Sequence, residues 1–128
     1  MPEYFKDKEN FILIPNLLDN KAKEEAEKLK NINKNKLRQF YHEIKNLEKS
    51  LEHQDWEFVK PFVKMVKAKI YYAYGRDSKL ESLRNFLESN INQINDEKDF
   101  RAFCKFFEAV LGFIYGLKEE NNNRRGRR

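Results

Sequence analysis

The stretch AKIYYAYGRDSKL, residues 68–80, decides how the chain divides. It reads as the end of an apolar helix, a glycine stop at Gly75 and a new helix opening at Ser78, with Glu81 three residues on as the second half of a capping box. A turn this tight makes the two helices neighbours. Nothing elsewhere alternates with period two for long enough to read as a strand, so the expected fold class is all-α, a compact bundle of about five helices. Two cations complicate that reading. Lys69 falls in the apolar part of the stretch, and Arg76 sits in the turn.

Working outward, helix three is expected over about 56–74, with Trp56 and Phe58 opening it and Pro61 in its first turn. Helix two, about 36–53, places Leu37, Phe40, Tyr41, Ile44, Leu47 and Leu51 on one face at helical spacing. Helix four is expected over about 79–94 and helix five over about 97–117, the latter capped by Asp96. A thin stripe of Leu18, Ala22, Ala26 and Leu29 marks helix one, about 17–31, after an N-terminal arm (1–15). The reading is one helical domain over 1–117 and a basic, disordered tail over 118–128, which has no apolar residue to bury after Leu117. The expected core is Leu37, Phe40, Ile44, Phe62, Val66, Leu83, Leu87, Phe103, Phe107 and Leu111.

Composition agrees with a helical protein: threonine is absent, and there are 4 glycines and 3 prolines among 128 residues. One cysteine excludes an intrachain disulfide, and Cys104 lies in a phenylalanine stripe where it reads as core. The only early apolar run, FILI (11–14), is too short for a signal-peptide core or a membrane span. The expectation is therefore a cytoplasmic protein without a membrane partner. The net charge of +5 is concentrated at the end: KEENNNRRGRR (118–128) has five cations and two anions, leaving 21 cations and 19 anions in the body. Any anion-binding role must come from where charges sit rather than from their total.

Three placements stand out. Arg38, His42, Lys45 and Lys49 form a row about three turns long on helix two, either an ordinary solvated face or a phosphate-tracking ridge. Lys60, Lys64 and Lys67 form a second row on helix three that ends at Tyr71, an aromatic on which a base could stack. Lys69 lies in the arc of Phe58, Phe62, Met65, Val66, Tyr72 and Ala73, and Arg76 projects in nearly the same direction. Either both snorkel from a buried face, or they edge a groove that holds phosphate. Helix five is apolar nearly all round, so Phe106, Val110 and Phe113 are expected to meet another subunit.

Catalysis finds no support. His42 and His53 stand about 16 Å apart by helix rise, too far to share a proton or a metal. Asp96, Glu97 and Asp99 suit a helix N-terminus. The chain has no glycine-rich phosphate loop, no nucleophile elbow and no zinc spacing, so neither a metal nor another cofactor is expected.

Three segments taken in order, NKLRQFYHEIKNLE (35–48), FVKMVKAKIYYAYGRD (62–77) and DFRAFCKFFEAVLGFIYG (99–116), resemble the small-subunit family of type III-A CRISPR (Csm) effector complexes. The shared pattern is a K-L/I-R helix start, an A-K-x-x-Y-x-x-G-R helix end, and a C-terminal F-x-x-F/Y-x-E-A helix. The resemblance implies a non-catalytic helical subunit that stacks in several copies within a ribonucleoprotein and contacts target RNA, or the guide RNA–target duplex, without sequence preference. Its partners would be those RNAs, the other Csm subunits and further copies of itself. Carried across, the pattern implies RNA-backbone contacts at Lys36, Arg38, Lys69 and Arg76, with Lys67 and Lys105 as further positions. Two other readings stay open on the residues alone: a helical homodimer acting as an assembly module with no RNA role, and a small nuclease.

Overall fold

The structure, a computed structural model, describes residues 3–126, with side chains through Glu119. Five α-helices carry the fold: α1 (Asn20–Leu29), α2 (Lys34–Ser50), α3 (Trp56–Arg76), α4 (Glu81–Asn92) and α5 (Glu97–Gly126). The chain is all-α apart from a short N-terminal hairpin. α5 is the central helix, packed against α1 and α2, while α3 packs on α4 and, less extensively, on α2. Phe100, Ala102, Phe103, Phe106, Phe107, Val110 and Ile114 of α5 are all fully buried. Their rings form one cluster, with Phe86 of α4 within 5.3 Å of Phe107 and Tyr41 of α2 edge-on to Phe107 at 5.4 Å. A helix apolar on nearly every side thus satisfies itself within its own chain.

Asparagine and aspartate start the helices. Asn33 accepts hydrogen bonds from the N–H groups of Asn35 and Lys36 to open α2, and Asp55 accepts from Phe58 N–H to open α3. At the end of α4, Asp96 accepts from Asp99 N–H and starts α5. The turn after α3 departs from the expected one. α3 runs through Gly75 to Arg76, and no described glycine has positive φ, so Gly75 is not the stop. The chain turns at Asp77, which is extended (φ −148°, ψ 99°) and accepts a hydrogen bond from Lys79 N–H. Ser78 is therefore inside a 3-10 turn (Ser78–Leu80) that leads into α4, and the Ser78–Glu81 capping box does not form. Pro61 lies in the second turn of α3 rather than the first.

The N-terminal arm holds a two-stranded antiparallel hairpin, β1 (Phe5–Asp7) with β2 (Ile12–Leu13), too short to leave a period-two signal. Asp7 closes its turn through Asn10, and Phe11 takes a positive φ of 54°. Tyr4 anchors the arm: its buried hydroxyl donates to Asn90 Oδ1 at 2.6 Å. A 3-10 turn (Pro15–Leu18) follows, burying Leu17 and leaving Leu18 exposed, so α1 itself presents Ala22, Ala26 and Leu29. At the other end, Lys118 donates to the Ile32 carbonyl at 2.9 Å. Most of the expected tail, from Glu120 on, has side chains outside the described residues, as do Arg127 and Arg128 entirely.

Two expectations about faces are corrected. Phe106 and Val110 are completely buried and Phe113 packs partly against the core, so α5 offers no apolar surface made of these three. Phe62, expected in the core, is 43% exposed. α3 has two apolar arcs about 100° apart. The arc of Val59, Val63, Val66 and Ile70 faces inward, and the arc of Phe58, Phe62, Met65 and Tyr72 faces solvent.

Candidate nucleic-acid interface

That inversion of α3 resolves the placement of Lys69. It shares the outward arc with Phe58, Phe62, Met65 and Tyr72 at i+4, i+7 and i+11 spacing, so its ammonium does not enter the core. Arg76 continues the same arc two turns on. Against this arc, α2 turns the face carrying Lys36, Gln39, Phe40 and Glu43, again at helical spacing. Between the two helices lies an open groove of about 790 Å³, floored by Phe40, Met65, Ala68, Tyr72 and Ala73. Lys36, Lys69 and Arg76 contribute three cations to its lining, and Glu43 and Asp77 two anions.

The cations are held differently. Lys69 Nζ pairs with Glu43 across the groove. Lys36 Nζ approaches only a neutral partner, Gln39 Oε1, at 3.5 Å. Arg76 lies along Tyr72, its Nη1 donating to the Tyr72 hydroxyl at 3.0 Å and its guanidinium 5.7 Å from the ring centroid. Among the described residues, two of the three cations thus have no anionic partner, and each presents N–H donors of the kind a phosphate accepts.

The remaining sequence-derived positions fall elsewhere. Arg38 is exposed on α2, two residues from Lys36 and so about 200° round the helix, outside the groove lining. Lys67 turns toward α4 and donates to Asn92 Oδ1. Lys105 is exposed on α5, with its ammonium 3.9 Å from Glu108.

The lysine row of α3 has a structural task. Lys64 Nζ donates to the carbonyls of Ile91 and Ile94, at 2.8 and 2.6 Å, capping the C-terminal end of α4. Burial, with Lys60 and Lys67 nearby, pushes the Lys64 ammonium pKa down from its ordinary value. Tyr71 donates to Glu88 at 2.6 Å, and that bond leads the causes that raise its pKa. The row expected on one face of α3 therefore largely binds α3 to α4. On α2, Lys45 pairs with Glu48 at 2.9 Å, which interrupts the other basic row.

Glu43, Gln39 and Asp77 are groove residues that the sequence reading did not single out. Glu43 and Gln39 were accessible to it, because positions 36, 39 and 43 share one face of any helix that starts near residue 34.

Among the described residues no group of three or more histidine, cysteine, aspartate or glutamate side chains converges as a metal site. Cys104 is buried, and burial raises its thiol pKa. No described helix is long and apolar enough to cross a membrane.

No curated protein and no solved structure matches the chain. A protein-family model does: Csm2 Type III-A, over residues 14–116. The match begins just after the hairpin and takes in α1 to α4, the buried length of α5 and every residue that lines the α2–α3 groove. The chain therefore belongs to the Csm2 Type III-A family, the small subunits of type III-A CRISPR complexes.

Proposed function

We propose that this subunit is the non-catalytic RNA-contacting member of its complex, and that the α2–α3 groove meets the backbone of target RNA or of the guide–target duplex. The observation that carries the reading is the convergence of Lys36, Lys69 and Arg76 from two helices on one groove in a body whose charges otherwise nearly balance. Phosphate contacts position an RNA without reading its sequence, and base pairing with the guide supplies specificity. A few cations then suffice. Several copies stack along the ribonucleoprotein beside the other Csm subunits in the cytoplasm, each stacking contact heterologous because one surface must meet a different one. Cleavage belongs to other subunits, and this chain needs neither metal nor cofactor.

The test is binding of full-length protein to several unrelated RNAs. Affinity should be modest and equal across sequences, should persist when residues 124–128 are removed, and should leave the RNA intact with or without divalent metal. Loss of all binding with the tail deletion, or cleavage that depends on added metal, contradicts the reading.

A second reading, an assembly module with no direct RNA role, draws on the exposed α3 surface of Phe58 and Phe62, whose rings lie 5.6 Å apart. Under that reading Phe58→Glu disrupts the complex and groove charge variants change nothing.

A further inference from the structure

We propose that the α2–α3 groove takes one unstacked RNA base together with its phosphate, with Tyr72 as the stacking surface. The inference rests on the RNA reading above and narrows it from a backbone track to a nucleotide site.

A row of phosphates needs only accessible cations. This groove has an apolar floor as well, made by Phe40, Met65, Ala68 and Ala73, and is roomier than a phosphate requires at about 790 Å³. A nucleotide combines the same two features, a flat apolar base and an anionic phosphate. Tyr72 is the most exposed of the exposed large hydrophobic side chains at 69%, yet it lines the groove and is not left to swing freely. Arg76 holds it twice, through the hydroxyl and over the ring. A ring restrained in this way loses less freedom when a base stacks on it.

The arrangement also explains indifference to sequence. The Tyr72 hydroxyl already accepts from Arg76, so the site's main attraction for a base is the ring face, and every base has a π-face. Lys36 and Lys69 line the same groove as the ring and can take the phosphate. Charge decides between occupants. The lining nets one positive charge, and a protein segment that fills the floor need not carry the matching anion, whereas each nucleotide brings one base and one phosphate together.

The test uses three RNA duplexes and the full-length chain: one fully paired, one with a single unpaired nucleotide, and one with an abasic unit at that unpaired position. The unpaired nucleotide should tighten binding by about tenfold, as a single base–aromatic stack does, and the abasic unit should remove the gain. Tyr72→Ala should remove it too, with the salt dependence unchanged, and Tyr72→Phe should retain most of it. If all three duplexes bind equally while Arg76→Ala weakens each, the RNA reading stands and the base site is wrong. If no RNA binds, both fall. If Tyr72→Ala spares RNA binding but releases another Csm subunit from the complex, the floor belongs to a protein and the proposal is overturned.

Discussion

Glu43 of α2 reaches across the groove to pair with Lys69 of α3. The contact joins the helices that form the groove, and it also neutralises one of the three cations that line it. A phosphate approaching Lys69 must compete with a carboxylate already in place. Both side chains are partly exposed, so the pair is screened by water and worth at most about 1 kcal/mol. Glu43→Gln should therefore tighten RNA binding by up to about fivefold at low salt, with a diminishing gain as salt rises. Fluorescence anisotropy across a salt series measures this. Weaker binding by the variant would mean that Glu43 positions Lys69 and does not mask it.

The buried core of α5 and the outward arc of α3 make opposite predictions for the same residue type. Phe107→Ala, in the closed α5 core, should cost about 3–5 kcal/mol. Phe62→Ala and Phe58→Ala, on the outward arc, should stay within about 0.5 kcal/mol. Urea denaturation of the three variants distinguishes them. An equal loss at Phe62 would put that arc back in the core.

This is also where sequence reading reached its limit. The helix spans, the α5 core and the small buried face of α1 were all legible. α1 and α2 each have one apolar stripe with polar residues opposite, and α5 is apolar nearly all round, so its burial needs no choice of face. α3 has two stripes, and periodicity alone cannot rank them. The aromatic arc looked more hydrophobic, but the arc that packs against the neighbouring helices is Val59, Val63, Val66 and Ile70. One signal was available: Lys69 and Arg76 lie in the aromatic arc, and cations on a stripe mark its solvent side. Read that way, the same residues locate the groove. The hairpin was not legible, because three residues paired with two give no periodic pattern. Nor was the capping role of Asp77, since Ser78–Glu81 matches the capping-box pattern one residue later.

Lys64 belongs to the architecture rather than to the interface. Its bonds to the Ile91 carbonyl of α4 and to the Ile94 carbonyl just beyond the helix satisfy acceptors that the helix end leaves open. Lys64→Ala should destabilise the protein by about 1–2 kcal/mol and leave RNA affinity unchanged. Chemical denaturation read beside an RNA titration tests both halves. A drop in affinity at full stability would return the α3 lysine row to the interface.

Acid should loosen the junction between the hairpin and α5. Lys8 bridges Asp96 and Asp99 at 2.8 and 2.9 Å. Burial works against the Asp96 charge, but the hydrogen bonds from Lys8 and from Asp99 N–H outweigh it and hold the carboxyl below its ordinary value. A group depressed in the folded state contributes stability in full above its unfolded value, and loses it as pH falls through the folded value. Lys8, raised chiefly by its hydrogen bond to Asp96, contributes below its ordinary value and loses that contribution as pH rises through the folded one. Asp96→Asn keeps a capping oxygen and removes the charge. Its stability deficit against the parent should be constant near neutrality and vanish in strong acid, as read from urea midpoints over pH. A deficit that persists there would mean the charge is not the cause.

The most direct measurement of the central claim, that the groove neutralises RNA phosphates, is the salt dependence of binding to single-stranded RNA in a chain lacking residues 124–128. Each phosphate neutralised contributes a slope of about −0.7 in log affinity against log salt. Lys36 and Arg76 should give about −1.4, approaching about −2 where a phosphate displaces Glu43 from Lys69, and Arg76→Ala and Lys36→Ala should each flatten the slope by about 0.7 with similar losses on unrelated sequences. Slopes that match the parent in both variants would contradict the account and leave the groove without a phosphate.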